Sequence, residues 1–178
     1  MKGWIPALAA VILGGALCAH VPDARAAGPA PKAVSGAVKV EFDADGVSPR
    51  EIEDTTEIAI PRDYATAWNA LEAALSQNRT DILDAGFVGF ARDRFAQRVA
   101  DQRKAGLRVR YVDHGHKVKA IFYSPEGSTM QLRDTAQYDL EVLDGETVIS
   151  SQPVTQIYMA LMTVTEDRWK VRVLQAVQ

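Results

Sequence analysis

Cysteine is almost absent from this chain of 178 residues; the one copy, Cys18, stands near the start. Removal of an N-terminal leader would leave a domain without any thiol, so no disulfide could staple it and its core must suffice alone. Aromatic residues make up 7% and histidine occurs three times. Nor is there an apolar run of the ~20 residues that a membrane-spanning helix requires. The sequence contains no P-loop, G-x-G-x-x-G, G-x-S-x-G, H-E-x-x-H or C-x-x-C pattern. Phosphate-cradling, dinucleotide, hydrolase-elbow and zinc chemistries therefore lack their minimal residues, and no cofactor is expected. With 47% apolar and 24% charged residues, a net charge of −3 and a mean hydropathy of −0.11, the composition excludes disordered and fibrous classes.

The first 26 residues read as a secretory signal peptide. Lys2 supplies a positive start, Trp4 to Ala19 is an apolar stretch interrupted by Pro6, Gly14 and Gly15, and Ala24-Arg25-Ala26 is a small-x-small cleavage site. A leucine before Cys18 does not fit a lipidation signal. These features predict a periplasmic or secreted bacterial protein, with membrane attachment only if the signal stays uncut.

Residues 27–36 form a Pro, Ala and Gly tether. Residues 37–60 read as an acidic extension with two short strands, Ala37 to Phe42 and Glu57 to Ile60, the second stopped by Pro61. From Glu41 to Glu57 seven acids face Arg50 alone, and Asp43-Ala44-Asp45-Gly46 reads as a solvated turn rather than a calcium loop. A helix is expected over 63–77, capped by Asp63, because Tyr64, Trp68, Leu71 and Leu75 recur at helical spacing. A second helix follows, carried by Phe87, Phe90, Ala91, Phe95 and Val99 and stopped at Gly106. From Leu107 the period changes to 2. Strands are expected over 107–113, 117–124, 128–143, 147–165 with an interruption near Pro153, and 169–177. The intervening turns include His114-Gly115-His116, whose side chains should face solvent, and Glu166-Asp167-Arg168. Helices first and strands afterwards indicate an α+β fold: two main N-terminal helices on a curved antiparallel sheet of four to five strands.

Two amphipathic helices, long antiparallel strands and a closing Thr165-Glu166-Asp167-Arg168-Trp169-Lys170-Val171 resemble the nuclear transport factor 2-like superfamily over residues 61–178. The resemblance implies a cone-like sheet wrapped on a long helix, with a pocket at the open end. The helix-first order is similar to the Tim44-like import domains and the periplasmic VirB-eight-type secretion domains, which bind or scaffold. It therefore implies a non-catalytic binding or assembly module.

Arg94 and Arg98 are the candidate ligand-binding residues. They fall within the stripe set by Phe87, Ala91 and Phe95, where arginines should not stay buried unpaired. They would either pair with a strand carboxylate such as Asp134 or Asp139, or offer themselves to an anion. Between Arg92 and Lys119 nine basic residues outnumber three acids; the acidic 41–57 segment could neutralise that face by folding over it. The expected partner is an unknown protein or a small anionic ligand and not nucleic acid, since few aromatics accompany the charge. The resemblance also implies a homodimer formed through the sheet. The enzymatic alternative, a cofactor-free isomerase or cyclase, would use Asp134 and Tyr138, which share one face of a strand. Its cavity would have to be lined by Met130, Leu132, Asp134 and Tyr138. Asp113-His114-Gly115-His116 is too poor in ligands for a closed metal site.

Overall fold

The computed structural model describes residues 37–166 and 168–177. The leader, its cleavage motif and the tether lie outside the described residues. In chain order the elements are β1 (Val40–Asp43), α1 (Asp54–Gln77), a 3-10 turn (Asp81–Ala85), α2 (Gly89–Lys104), β2 (Leu107–Tyr123), β3 (Thr129–Asp144), β4 (Thr147–Val164) and β5 (Trp169–Val177). The strands form one sheet in the order β1-β2-β3-β4-β5. Four are antiparallel as expected, whereas β1 joins β2 in parallel, which makes the sheet mixed. The architecture is the α+β arrangement anticipated from the sequence, two helices packed on a sheet that does not close.

The first helix starts earlier than its spacing suggests. The segment Glu57 to Ile60 is helical rather than extended, and Pro61 lies inside α1. An interior proline costs about 3 kcal/mol. Ile60 is fully buried one turn before Tyr64, however, and burial of such a side chain contributes ~1.5–3 kcal/mol. Asp54 and Glu57 in the first turn add favourable charge at the helix N-terminus. Asp63 is consequently no cap. It is buried within α1, where Oδ2 accepts the backbone N–H of Trp169 at 2.9 Å and ties the helix to β5.

The second helix is rephased by its start. Phe87 is buried but lies outside α2, bridging to Val171 in extended conformation. The buried stripe of α2 is Ala91, Phe95 and Val99, and Phe90 is 62% exposed. Arg94 and Arg98 therefore flank the apolar stripe instead of sitting in it, and both are exposed.

The largest departure from expectation is in β2. What reads as a hairpin turn at His114-Gly115-His116 is a bulge inside one continuous strand: Asp113 pairs with Tyr138, Gly115 with Gln137, and His114 is the extra residue. Gly115 has φ +134°, a value that side chains rarely tolerate. The extra residue shifts parity, so Tyr111 and Asp113 before it and His116, Val118 and Ala120 after it all point inward. Likewise β4 runs unbroken through Pro153. Strand β5 reaches only as far as Ile157, so Pro153 sits on an open edge where its missing N–H costs no pairing.

Helix α1 touches β2 and β5, strands separated by two others, which requires the sheet to curl around it. Trp68 marks the centre. Rings from β2 (Tyr111, His116), β3 (Tyr138) and β4 (Tyr158) lie 4.5–6.3 Å from its indole, centroid to centroid.

Candidate functional site

Two features meet at Trp68. One is a cavity of about 200 Å3 between α2 and the inner face of the sheet. Trp68, Leu71, Phe95 and Leu174 supply an apolar floor, with Tyr111 and Tyr158 beside them. Arg94 and Arg98, one helical turn apart, stand at the mouth. Among the described residues neither guanidinium has a carboxylate partner; Arg98 lies 5.8 Å from the centroid of the Tyr111 ring as a cation–π contact. The indole Nε1 of Trp68 is sealed from solvent on the side of the buried Tyr64 hydroxyl. Tyr138 and Tyr158 share a hydrogen bond of 2.8 Å. Burial raises the pKa of Tyr111, Tyr138 and Tyr158, and for Tyr158 the Tyr138 hydroxyl adds to it, so all three remain neutral donors at ordinary pH.

The other feature is a buried ionic network. His116 Nδ1 lies 2.8 Å from Asp134 Oδ2, its Nε2 lies 3.1 Å from Asp113 Oδ1, and the Tyr64 hydroxyl donates to Asp134 Oδ2 at 2.9 Å. Tyr64 and Asp134 have no exposure and His116 only 2%. Burial alone would depress the imidazole, but hydrogen bonds to Asp113 and Asp134 outweigh it and hold the pKa at about 9. The imidazolium in turn holds Asp113 below its ordinary value against the opposing effect of burial. Beside this network lies a chamber of only about 10 Å3, too small for an organic substrate.

The geometry corrects several expectations. Asp134 and Tyr138 do share the inner face of β3, but they serve different partners, Asp134 joining His116 and Tyr64 while Tyr138 joins Tyr158. Met130, Leu132 and Asp134 are wholly buried in solid packing and line none of the cavities described here. Neither Asp134 nor Asp139 pairs with the helix arginines, because Asp139 is 3.0 Å from His114. His116, expected on a solvated turn, is in the core. The acidic N-terminal segment neutralises only part of the basic face. Asp43 holds Lys119 at 2.8 Å, while Arg92 is paired within its own region by Asp84 and Arg110 by Glu141 on β3. Among the described residues, no group of three His, Cys, Asp or Glu side chains is placed to hold a metal ion.

No protein-family model matches the chain, and no curated protein does. Among solved structures, the intermembrane space region of the chloroplast protein ARC6 matches with a TM-score of 0.61 at 16% identity, over 72% of this chain and 98% of that one. The likeness is one of fold. An NTF-2 like protein of unknown function from Shewanella oneidensis MR-1 also aligns, at 11% identity and a TM-score of 0.38, over 66% of this chain and 98% of that one. In this chain the open cavity lies between α2 and the inner face of the curled sheet. The sequence reading passed over Tyr111 and Tyr158, and it took His116 for part of a solvated turn. For the two residues on β2, Tyr111 and His116, a signal exists in the double break of alternation along that strand, at His114 and again at Ile121, which is the mark of bulges rather than of a turn.

Proposed function

We propose that the protein is an exported, non-catalytic binding module that uses the cavity beneath α2, with Arg94 and Arg98 as its ligand-binding residues. The observation that carries this reading is the combination of an apolar, aromatic floor with two exposed arginines that have no carboxylate partner among the described residues. A guanidinium offers a fixed fork of donors to a carboxylate or phosphate. The apolar leader ending in Ala24-Arg25-Ala26 supports export into the periplasm. In the described residues no helix is long and apolar enough to cross a membrane. The ARC6 region of like fold belongs to an intermembrane space, which is compatible with a non-cytoplasmic role. The enzymatic reading loses its general base, since Asp134 is enclosed by His116 and Tyr64.

Native mass spectrometry of protein taken from the cell envelope tests this. The expected result is a chain beginning at Ala27 that retains a ligand or partner, and loss of that species from the double variant Arg94→Gln/Arg98→Gln, which folds normally. A chain beginning at Met1 would overturn export, and equal retention by the variant would overturn the arginine site.

A further inference from the structure

The cavity described above contains enough chemistry to define the class of its ligand, on the premise that it is the binding site. Its volume of about 200 Å3 is below the ~300–1,000 Å3 of sites that enclose drug-sized molecules, so the body it takes is compact. Its floor is apolar and largely aromatic, which disfavours an inorganic anion: phosphate or sulfate would leave Trp68, Leu71, Phe95 and Leu174 facing nothing. The positive charge is confined to the mouth, where Arg94 and Arg98 project from successive turns of α2 and Arg98 is braced on the face of Tyr111. Trp68 is 4% exposed and offers the cavity its ring and not its N–H, because the indole Nε1 is sealed from solvent on the side of the Tyr64 hydroxyl.

We infer that the site takes a small organic carboxylate with a flat apolar body. The carboxylate lies between Arg94 and Arg98, and the body packs on the aromatic floor. Each part answers one feature of the cavity. The two arginines select the charge, and the floor selects the flat body.

The probes are 4-hydroxyphenylacetate, phenylacetate, the neutral 4-hydroxyphenylacetamide and inorganic phosphate, titrated into the full chain. Calorimetry and the indole N–H resonances serve as readouts, with the Trp68 signal assigned by its loss in Trp68→Phe. The two aromatic acids should bind comparably and the amide more weakly by ~100-fold, since each charge-assisted pairing is worth at least about tenfold. The Trp68 resonance should move with 4-hydroxyphenylacetate. Arg94→Gln/Arg98→Gln should abolish the preference for acid over amide while leaving the Trp68 and Trp169 resonances of the free protein in place. Raised salt should weaken the acids and not the amide. Phosphate binding as tightly as the aromatic acid, an amide binding equally well, or a Trp68 resonance that stays fixed would each overturn the assignment. Failure of all the probes, while the envelope-derived protein still retains a species lost with the arginines, would refute this ligand class and leave the binding-module reading standing. Failure of both refutes the site.

Discussion

The buried His116 network predicts an unusual pH profile of stability. His116 has an ordinary pKa of 6.5 and a folded value of about 9. Because the folded value is raised, the contribution is complete below pH 6.5 and is lost as pH rises through 9. In that window the native state holds a proton that the unfolded chain has released, so the unfolding free energy falls with rising pH. At ~1.36 kcal/mol per unit, a window of about 2.5 units amounts to about 3 kcal/mol. That is a large fraction of the ~5–15 kcal/mol typical of a domain. Asp113 acts oppositely. Its lowered pKa contributes stability above its ordinary value of 3.8 that acidification removes, so the plateau lies between the two arms. Urea unfolding followed by tryptophan fluorescence from pH 5 to pH 10 measures the alkaline arm directly. His116→Gln should cost ~3–5 kcal/mol at pH 6, because it leaves Asp134 fully buried without its counter-ion, and should flatten the alkaline arm. His114→Asn, altering the exposed neighbour, should leave that arm in place. A wild-type stability constant to within ~1 kcal/mol between pH 6.5 and 9, or a His116→Gln variant that keeps the slope, would refute the assignment of a buried imidazolium.

Three further substitutions probe the frame around the site. Trp169→Ala should cost ~3–5 kcal/mol in denaturant unfolding, since the ring is 6% exposed, stands 6.2 Å from Tyr123 and begins the strand that Asp63 anchors. Gly86→Ala should lower the unfolding midpoint by the equivalent of ~2–3 kcal/mol, because its Cβ would come within 2.3 Å of Ala67 Cα in α1; an unchanged midpoint would mean that the helix can shift freely. Tyr158→Phe removes the 2.8 Å hydroxyl pair with Tyr138 and should cost ~1 kcal/mol, visible as a small shift in thermal midpoint.

The legible parts of this fold were those where one periodicity prevailed over many residues. Tyr64, Trp68, Leu71 and Leu75 announce α1, and the two-residue alternation of 129–144 announces β3, because each pattern is dictated by one buried face. The illegible parts were those where tertiary gain overruled a local rule. Pro61 signals a stop, yet Ile60 and the acidic first turn carry the helix past it. Pro153 signals a break, yet it meets an edge that β5 does not cover. For the site, the helical wheel pointed to Arg94 and Arg98 as unusual, and the structure puts them at the mouth of a cavity. It could not reveal that their apparent place in the apolar stripe came from counting Phe87, which lies outside the helix. The burial of His116 was hidden for a related reason: histidine beside glycine carries turn chemistry, and a one-residue bulge is invisible to a rule that assumes unbroken alternation.

That bulge also explains why network and cavity coexist. Before His114 the inward positions of β2 are odd-numbered, which brings Tyr111 and Asp113 to the concave face; after it they are even-numbered, which brings His116, Val118 and Ala120 there. Without the extra residue an unbroken odd register would aim Gly115, Lys117 and Lys119 at α1, burying two ammonium groups against Tyr64 and Trp68 at prohibitive cost. With it, Lys119 turns outward to Asp43, and His116 reaches both Asp134 on β3 and Asp113 on its own strand. The ion pairs then fix the strand on one side of the Trp68 ring, and Tyr111, held by stacking on Tyr138 at 4.7 Å, is left as the wall against which Arg98 rests. Both clusters depend on the same shift of register. The buried one is closed by pairing His116 with two carboxylates, Asp134 Oδ1 alone accepting no hydrogen bond, and the open one is left with two arginines that have no carboxylate partner among the described residues.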